Sequence, residues 1–194
     1  MKIPTLVASL ALITLAAWPP PAPAAEPANT EALGDFSAGL EGWRYNGGWE
    51  FKGSRGRLVH EPSEGHNEPG AARLTGEFEA GGSYVAMTRQ GSFSEPAAVR
   101  FRVKPEGLSG LDIRLGDGRQ QIFQYSVPLE GGGEWQEVVI HVPDTPAKSH
   151  WGGPNDGVWS GELTQVWICL PRRFCGESKT ASCLVDDVEV IPRP

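Results

Sequence analysis

The chain has 194 residues, with 17 Lys and Arg against 24 Asp and Glu, a net charge of −7 and no basic cluster, so nucleic acid and anionic membrane surfaces are excluded as natural partners. Its 25 glycines and 17 prolines follow no collagen-like period and punctuate short apolar runs, which excludes a fibrous chain and a helix bundle and points to an all-β domain.

In chain order, residues 1–24 read as a secretory signal: Lys2, an apolar run from Leu6 to Trp18 too short to span a bilayer, and a small-x-small pattern at Ala22-Pro23-Ala24. Cleavage there removes one lysine and leaves 170 residues, the size of one domain, at net charge −8. The expected location is secreted or periplasmic, without membrane insertion, and the expected state is a monomer. Residues 25–33 read as a polar leader and 34–192 as the folded domain, opening with GDFSAGLEGW.

Short runs follow at close spacing: YNGGWEF, GRLVHE, AARLTGEF, SYVAMTRQ, AAVRFRVKP, LDIRLGD, QQIFQYSVPL, EWQEVVIHVP, LTQVWICLP and CLVDDVEVI. No segment sustains a 3.6-residue period. Alternation gives each run a core face: Val99, Phe101 and Val103; Leu111, Ile113 and Leu115; Val138, Ile140 and Val142; Val166, Ile168 and Leu170. So many half-buried strands predict two antiparallel sheets packed face to face, with a closed barrel as the alternative. Trp43 and Trp135 are expected to pack against sheet edges. Of the three cysteines, Cys169 falls inside an apolar strand, so a disulfide is expected between Cys175 and Cys183 across the loop GESKTAS.

The order DF..GL.GW, VRFRV, LDIRLGDGR, WQEVVIHV, HWGGPNDGVWSGELTQVWICL and LVDDVEV resembles the galactose-binding-like jelly-roll domains, in particular the carbohydrate-binding modules found beside glycoside hydrolases. The resemblance covers residues 34 to 192. It implies a two-sheet jelly roll that docks onto a poly- or oligosaccharide, alone or with a glycoside hydrolase or cell-surface assembly as partner. It also implies a structural calcium joining the first and last strands. Asp186 shares the parity of Leu184, Val188 and Val190, and an inward carboxylate needs a partner; Asp35 and carbonyls of the 60–70 loop would complete an oxygen shell with it. The other reading caps Asp186 with backbone N–H groups.

Sugars are bound by flat apolar rings and planar polar side chains. The loop HWGGPNDGVWSGEL gathers Trp151, Asn155, Asp156 and Trp159, and it is the leading candidate for this role. Trp167 and Gln165, opposite in parity to the core set of their strand, and Arg102, likewise opposite to its own, are expected to extend it, with Trp49 and Tyr125 nearby. For each tryptophan, packing is the competing reading. Hydrolysis would need two carboxylates flanking a bond, and lysis a Tyr or His base with an Arg. Glu61 and Glu64, or Glu130, Glu134 and Glu137, form no compact catalytic pattern, so a small jelly-roll hydrolase or lyase is the alternative function, and an adhesive domain is another.

Overall fold

The computed structural model describes residues 29–194. The signal segment and the first residues of the expected leader lie outside the described residues. Twelve strands follow: β1 (Glu31–Gly34), β2 (Arg44–Asn46), β3 (Arg55–Glu61), β4 (Ala71–Glu77), β5 (Tyr84–Phe93), β6 (Pro96–Glu106), β7 (Gly110–Asp117), β8 (Ile122–Pro128), β9 (Gln136–His141), β10 (Ser149–Trp151), β11 (Leu163–Pro171) and β12 (Thr180–Pro192). Between β11 and β12 lie two short 3-10 turns, Arg172–Phe174 and Gly176–Ser178.

The strands form two six-stranded antiparallel sheets. The first runs β3-β4-β12-β6-β9, with β1 paired to β12; the second runs β10-β8-β7-β11-β5-β2. The predicted core positions of β6, β7, β9 and β11 are all buried and meet in one cluster between the sheets. Each of these branched or aromatic side chains contributes about 2 kcal/mol on leaving water. Because successive side chains alternate faces, register then fixes which residues each sheet turns outward.

The fold begins earlier than residue 34. Leu33 on β1 is buried, and its carbonyl accepts the indole N–H of Trp43 at 2.9 Å and an Arg89 guanidinium N–H at 2.6 Å. The stretch after it is not a strand. It turns through Phe36 and Glu41, both at positive φ, and seats the buried Phe36 ring 6.3 Å from Trp43. Trp43 is the packing residue expected, whereas Trp135 is only half-buried, its ring 5.8 Å from that of His66.

The expected facing of β12 is wrong at one place. A register shift between Asp186 and Glu189, with Asp187 at φ 48°, breaks the alternation. Before it, Ala181, Cys183 and Val185 face the core; after it, Val188 and Val190 do. Asp186 therefore lies in register with Arg102 on the outer face of the first sheet. It is nonetheless only 2% exposed, because the 61–70 loop folds over it.

The expected disulfide is not formed. Cys169, Cys175 and Cys183 are free and buried. Cys183 points into the core from β12, whereas Cys175 closes the first 3-10 turn and directs its thiol to the Pro171 carbonyl at 3.6 Å. Burial pushes the Cys183 thiol up to about 12 and that of Cys175 up to about 11, so neither is a ready nucleophile.

Candidate binding cleft on the second sheet

The outer faces of the two sheets differ in what their cations touch. On the first sheet Arg73 pairs with Glu61 and Glu106, Arg100 with Glu189, Arg102 with Glu137 at 2.9 Å, and Lys104 with Glu64. These cross-strand pairs neutralise one another on a solvated surface. Arg102 is thus committed to Glu137 on the sheet opposite Trp167 and does not belong with the aromatic residues.

On the outer face of the second sheet Arg114 makes no ion pair among the described residues. Its guanidinium carbon lies 4.4 Å from the ring centroid of Tyr84, 5.4 Å from Trp151 and 5.5 Å from Trp167. Nε donates to Gln124 Oε1 at 2.8 Å and Nη1 to the Tyr84 hydroxyl at 3.0 Å. That hydroxyl in turn donates to the Glu50 carboxylate, and burial with this bond pushes the phenol up to about 12. Register places these groups side by side: Arg114 opposes Gln124 on β8 and Trp167 on β11, and β10 brings Trp151 opposite Ile122.

Glu50, Phe51, Arg114, Ile122, Gln124, Trp151, Gln165 and Trp167 line an open cleft of about 450 Å³, with the buried Tyr84 ring behind it. Trp167 donates its indole N–H to Gln165 Oε1 at 2.8 Å, which fixes both side chains. Gly116, across from Gln165, leaves the space it needs: a Cβ there would come 2.5 Å from Gln165 Cγ. The wall carrying Glu50 and Phe51 depends on Gly48, at φ 60°, where a Cβ would meet the Tyr84 carbonyl at 2.5 Å. Beneath the rings Cys169 packs with Tyr84, Ala86 and Trp167.

The predicted loop divides. Trp151 stands at the cleft, 40% exposed. Trp159 turns the other way: it is 8% exposed, packs 5.2 Å from Phe123 in the core and donates its indole N–H to the Gly161 carbonyl. Asn155 and Asp156 hold the loop itself. Asn155 Oδ1 bonds His150 Nδ1 at 2.8 Å, and Asp156 Oδ1 accepts from the Val158 amide at 2.9 Å, Gln121 and Arg119. The Val158 amide, then Gln121 and Arg119, hold the Asp156 carboxyl below its ordinary range. Tyr125 faces the core, while Trp49, 75% exposed, sits in the turn that carries Glu50. Trp151, Trp167 and Gln165 thus come together; Trp159, Asn155, Asp156 and Arg102 do not join them. Arg114, Gln124, Glu50 and Phe51 complete the cleft, with Tyr84 behind Arg114; the alternation of LDIRLGD, which puts Leu111, Ile113 and Leu115 in the core, is the signal that turns Arg114 outward.

The acidic residues expected to hold calcium are already engaged by neighbouring amides. Asp186 accepts the His66 amide at 2.8 Å and the Asp187 amide at 2.7 Å, one on each oxygen, while Asp35 Oδ1 accepts the Ser37 amide at 2.9 Å. His66 Nδ1 and Asn67 add contacts to Asp187. Each Asp186 oxygen thus accepts one backbone N–H, and among the described residues no group of three or more His, Cys, Asp or Glu gathers as metal ligands.

Two antiparallel six-stranded sheets of this order, with no helix beyond two 3-10 turns among the described residues, form a jelly-roll-like β-sandwich similar in fold to solved carbohydrate-binding modules. The solved structures that share it include the family 11 carbohydrate-binding module of the cellulosomal cellulase Lic26A-Cel5E of Clostridium thermocellum, at 12% identity over 86% of this chain and 96% of that one, TM-score 0.60. A family 29 carbohydrate-binding module variant complexed with cellulohexaose aligns at 13% identity over 85% and 92%, TM-score 0.50. An exo-β-agarase aligns at 11% identity over 84% of this chain but 25% of that one, TM-score 0.57. No family model matches, and no curated protein matches in sequence.

Proposed function

We propose that this protein is an exported, non-catalytic carbohydrate-binding module that docks a poly- or oligosaccharide into the cleft on its second sheet. The observation that carries the reading is the pair of rings Trp151 and Trp167 beside Arg114, which makes no ion pair among the described residues, in an open cleft fixed by Gln124 and Gln165, with the buried Tyr84 ring packed against the guanidinium from within. Rings present flat apolar surface to the C–H faces of a sugar, and the amides and guanidinium exchange hydrogen bonds with its hydroxyls. Fixing these groups beforehand lowers the ordering cost of binding. Glu50 is the one carboxylate lining the cleft, and it accepts the Tyr84 hydroxyl; hydrolysis through an acid and a second carboxylate has no pair to use there.

The family resemblance supports a glycoside hydrolase or cell-surface assembly as the setting in which such docking acts. The calcium expected at Asp35 and Asp186 is a separate proposal, in which a cation would use the acceptor sites that the two amides leave on the Asp186 carboxylate. Affinity electrophoresis against a panel of neutral and acidic polysaccharides tests the main reading. Retardation by at least one glycan, lost in Trp167→Ala, is expected; a chain that migrates freely through every gel ends the proposal.

A further inference from the structure

The cleft lining holds one cation, Arg114, and one carboxylate, Glu50, so it does not share the negative balance of the chain. The chain carries a net −7, yet three arginines on or beside the outer face of the second sheet make no ion pair among the described residues: Arg44 on β2, Arg114 at the centre, and Arg172 just past the end of β11. On the first sheet the β6 cations each face a glutamate, while Arg55 and Arg57 on β3 are exposed and make no ion pair among the described residues. A guanidinium has five N–H donors. Arg114 spends one on Gln124 and one on Tyr84, which leaves three beside the rings of the cleft. Glu50 does not form an ion pair with it, because the Tyr84 hydroxyl stands between them, accepting from Arg114 and donating to Glu50.

The same face continues toward a second basic feature. Two residues along β7 from Arg114, about 7 Å at strand rise, the buried Asp112 receives the Ser126 hydroxyl and the guanidinium of Arg173. Arg173 thus bridges to an open pocket of about 570 Å³ lined by Arg172, Arg173, Lys179 and Glu177; Arg173 is paired to Asp112 and Lys179 to Glu79 at 3.6 Å, and Arg172 makes no ion pair among the described residues. The cleft and this pocket lie at successive positions along β11, from Gln165 and Trp167 to the turn that follows Pro171.

We propose that the cleft selects an acidic glycan, one bearing uronate carboxylates or sulfate esters, with Arg114 seating an anionic group beside the aromatic rings and the Arg172–Arg173–Lys179 pocket taking another further along the chain. The proposal rests on the reading of the cleft as the glycan site. Planar guanidinium donors match carboxylate and sulfate oxygens two at a time. Among partly desolvated rings that pairing is screened less than at an exposed surface. The rings supply the contact with the sugar body that a simple polyanion lacks.

The test titrates the full exported chain with polygalacturonate and its carboxyl-reduced counterpart, with a sulfated galactan and its desulfated form, and with cellohexaose. One acidic glycan is expected to bind at least tenfold more tightly than its neutral counterpart. Arg114→Gln is expected to abolish that preference. Arg172→Gln with Lys179→Gln, outside the buried core, is expected to reduce it several-fold. Which pair shows the preference separates carboxylate from sulfate. Equal binding of a neutral glycan and its acidic form overturns the proposal while leaving the cleft a glycan site, and no binding to any probe overturns both. Acidic binding that survives unchanged in Trp167→Ala shows a nonspecific polyanion effect and also overturns it.

Discussion

Asp186 makes the pH dependence of this fold calculable in sign. Burial raises its carboxyl from an ordinary 3.8 to about 6; the amides of His66 and Asp187 oppose the shift, and the neighbouring Asp187 charge adds to it. A carboxyl with a raised folded-state pKa binds protons more tightly folded than unfolded. Its ionisation therefore costs stability above about pH 6, and that cost is relieved as pH falls from about 6 toward 4. The full shift of roughly two units is worth about 3 kcal/mol, of which about 1 kcal/mol is recovered between pH 7 and pH 5. For a domain of this size that is a rise of about 2–4 °C in Tm. Asp35, Glu106 and Asp156, whose carboxyls are held low, lose stability only as pH drops further, so the window closes near pH 5. Glu41, raised by burial, acts in the same direction as Asp186, so a variant must isolate the effect. The assay is thermal unfolding at pH 5, 6 and 7 in chelator, for the parent chain and Asp186→Asn. The parent is expected to gain from pH 7 to pH 5 and the variant to gain measurably less. Identical shifts in the two refute the reasoning. Calcium in place of chelator tests the cation proposal: a bound ion would hold Asp186 ionised and reverse the slope.

The remaining predictions concern the tryptophans and the thiols. Trp151→Ala removes an exposed ring of roughly 100 Å² from the cleft, about 2 kcal/mol of transfer free energy, so glycan affinity measured by calorimetry falls about thirtyfold with Tm unchanged. Trp159→Ala, from the same loop, opens a hole against Phe123 instead and costs about 3–5 kcal/mol, read as a fall in Tm on the order of 10 °C. With three free thiols and no disulfide, dithiothreitol leaves Tm where it was; a drop of several degrees would show a bond this structure lacks.

Strand alternation made most of the sandwich legible, because a sheet with one wet face repeats every two residues and Val99, Phe101 and Val103 could face only one way. The same rule failed at β12, where one extra residue near Asp187 reverses the parity. A bulge leaves no mark on an apolar run that continues on both sides of it. Trp151 and Trp159 look alike in a glycine-rich loop; only the folded path, with Trp151 laid on β8 and Trp159 turned under to Phe123, separates them. Arg114 was visible in the alternation of LDIRLGD, but its three rings come from β5, β10 and β11, and no local spacing announces a meeting of strands that distant. The β1 strand hid in a polar-looking segment because only four residues of it pair, and its partner lies at the other end of the chain.

That pairing has a mechanical consequence. Glu31 lies beside Val190 in an antiparallel ladder, so the described chain enters and leaves the sandwich at one corner of the first sheet, away from the sheet that bears the cleft. Tension applied at those two points would peel the β1–β12 bonds open one after another, instead of shearing them together. A tether at that corner would hold the cleft free to face outward, and under load the joint would give way there first.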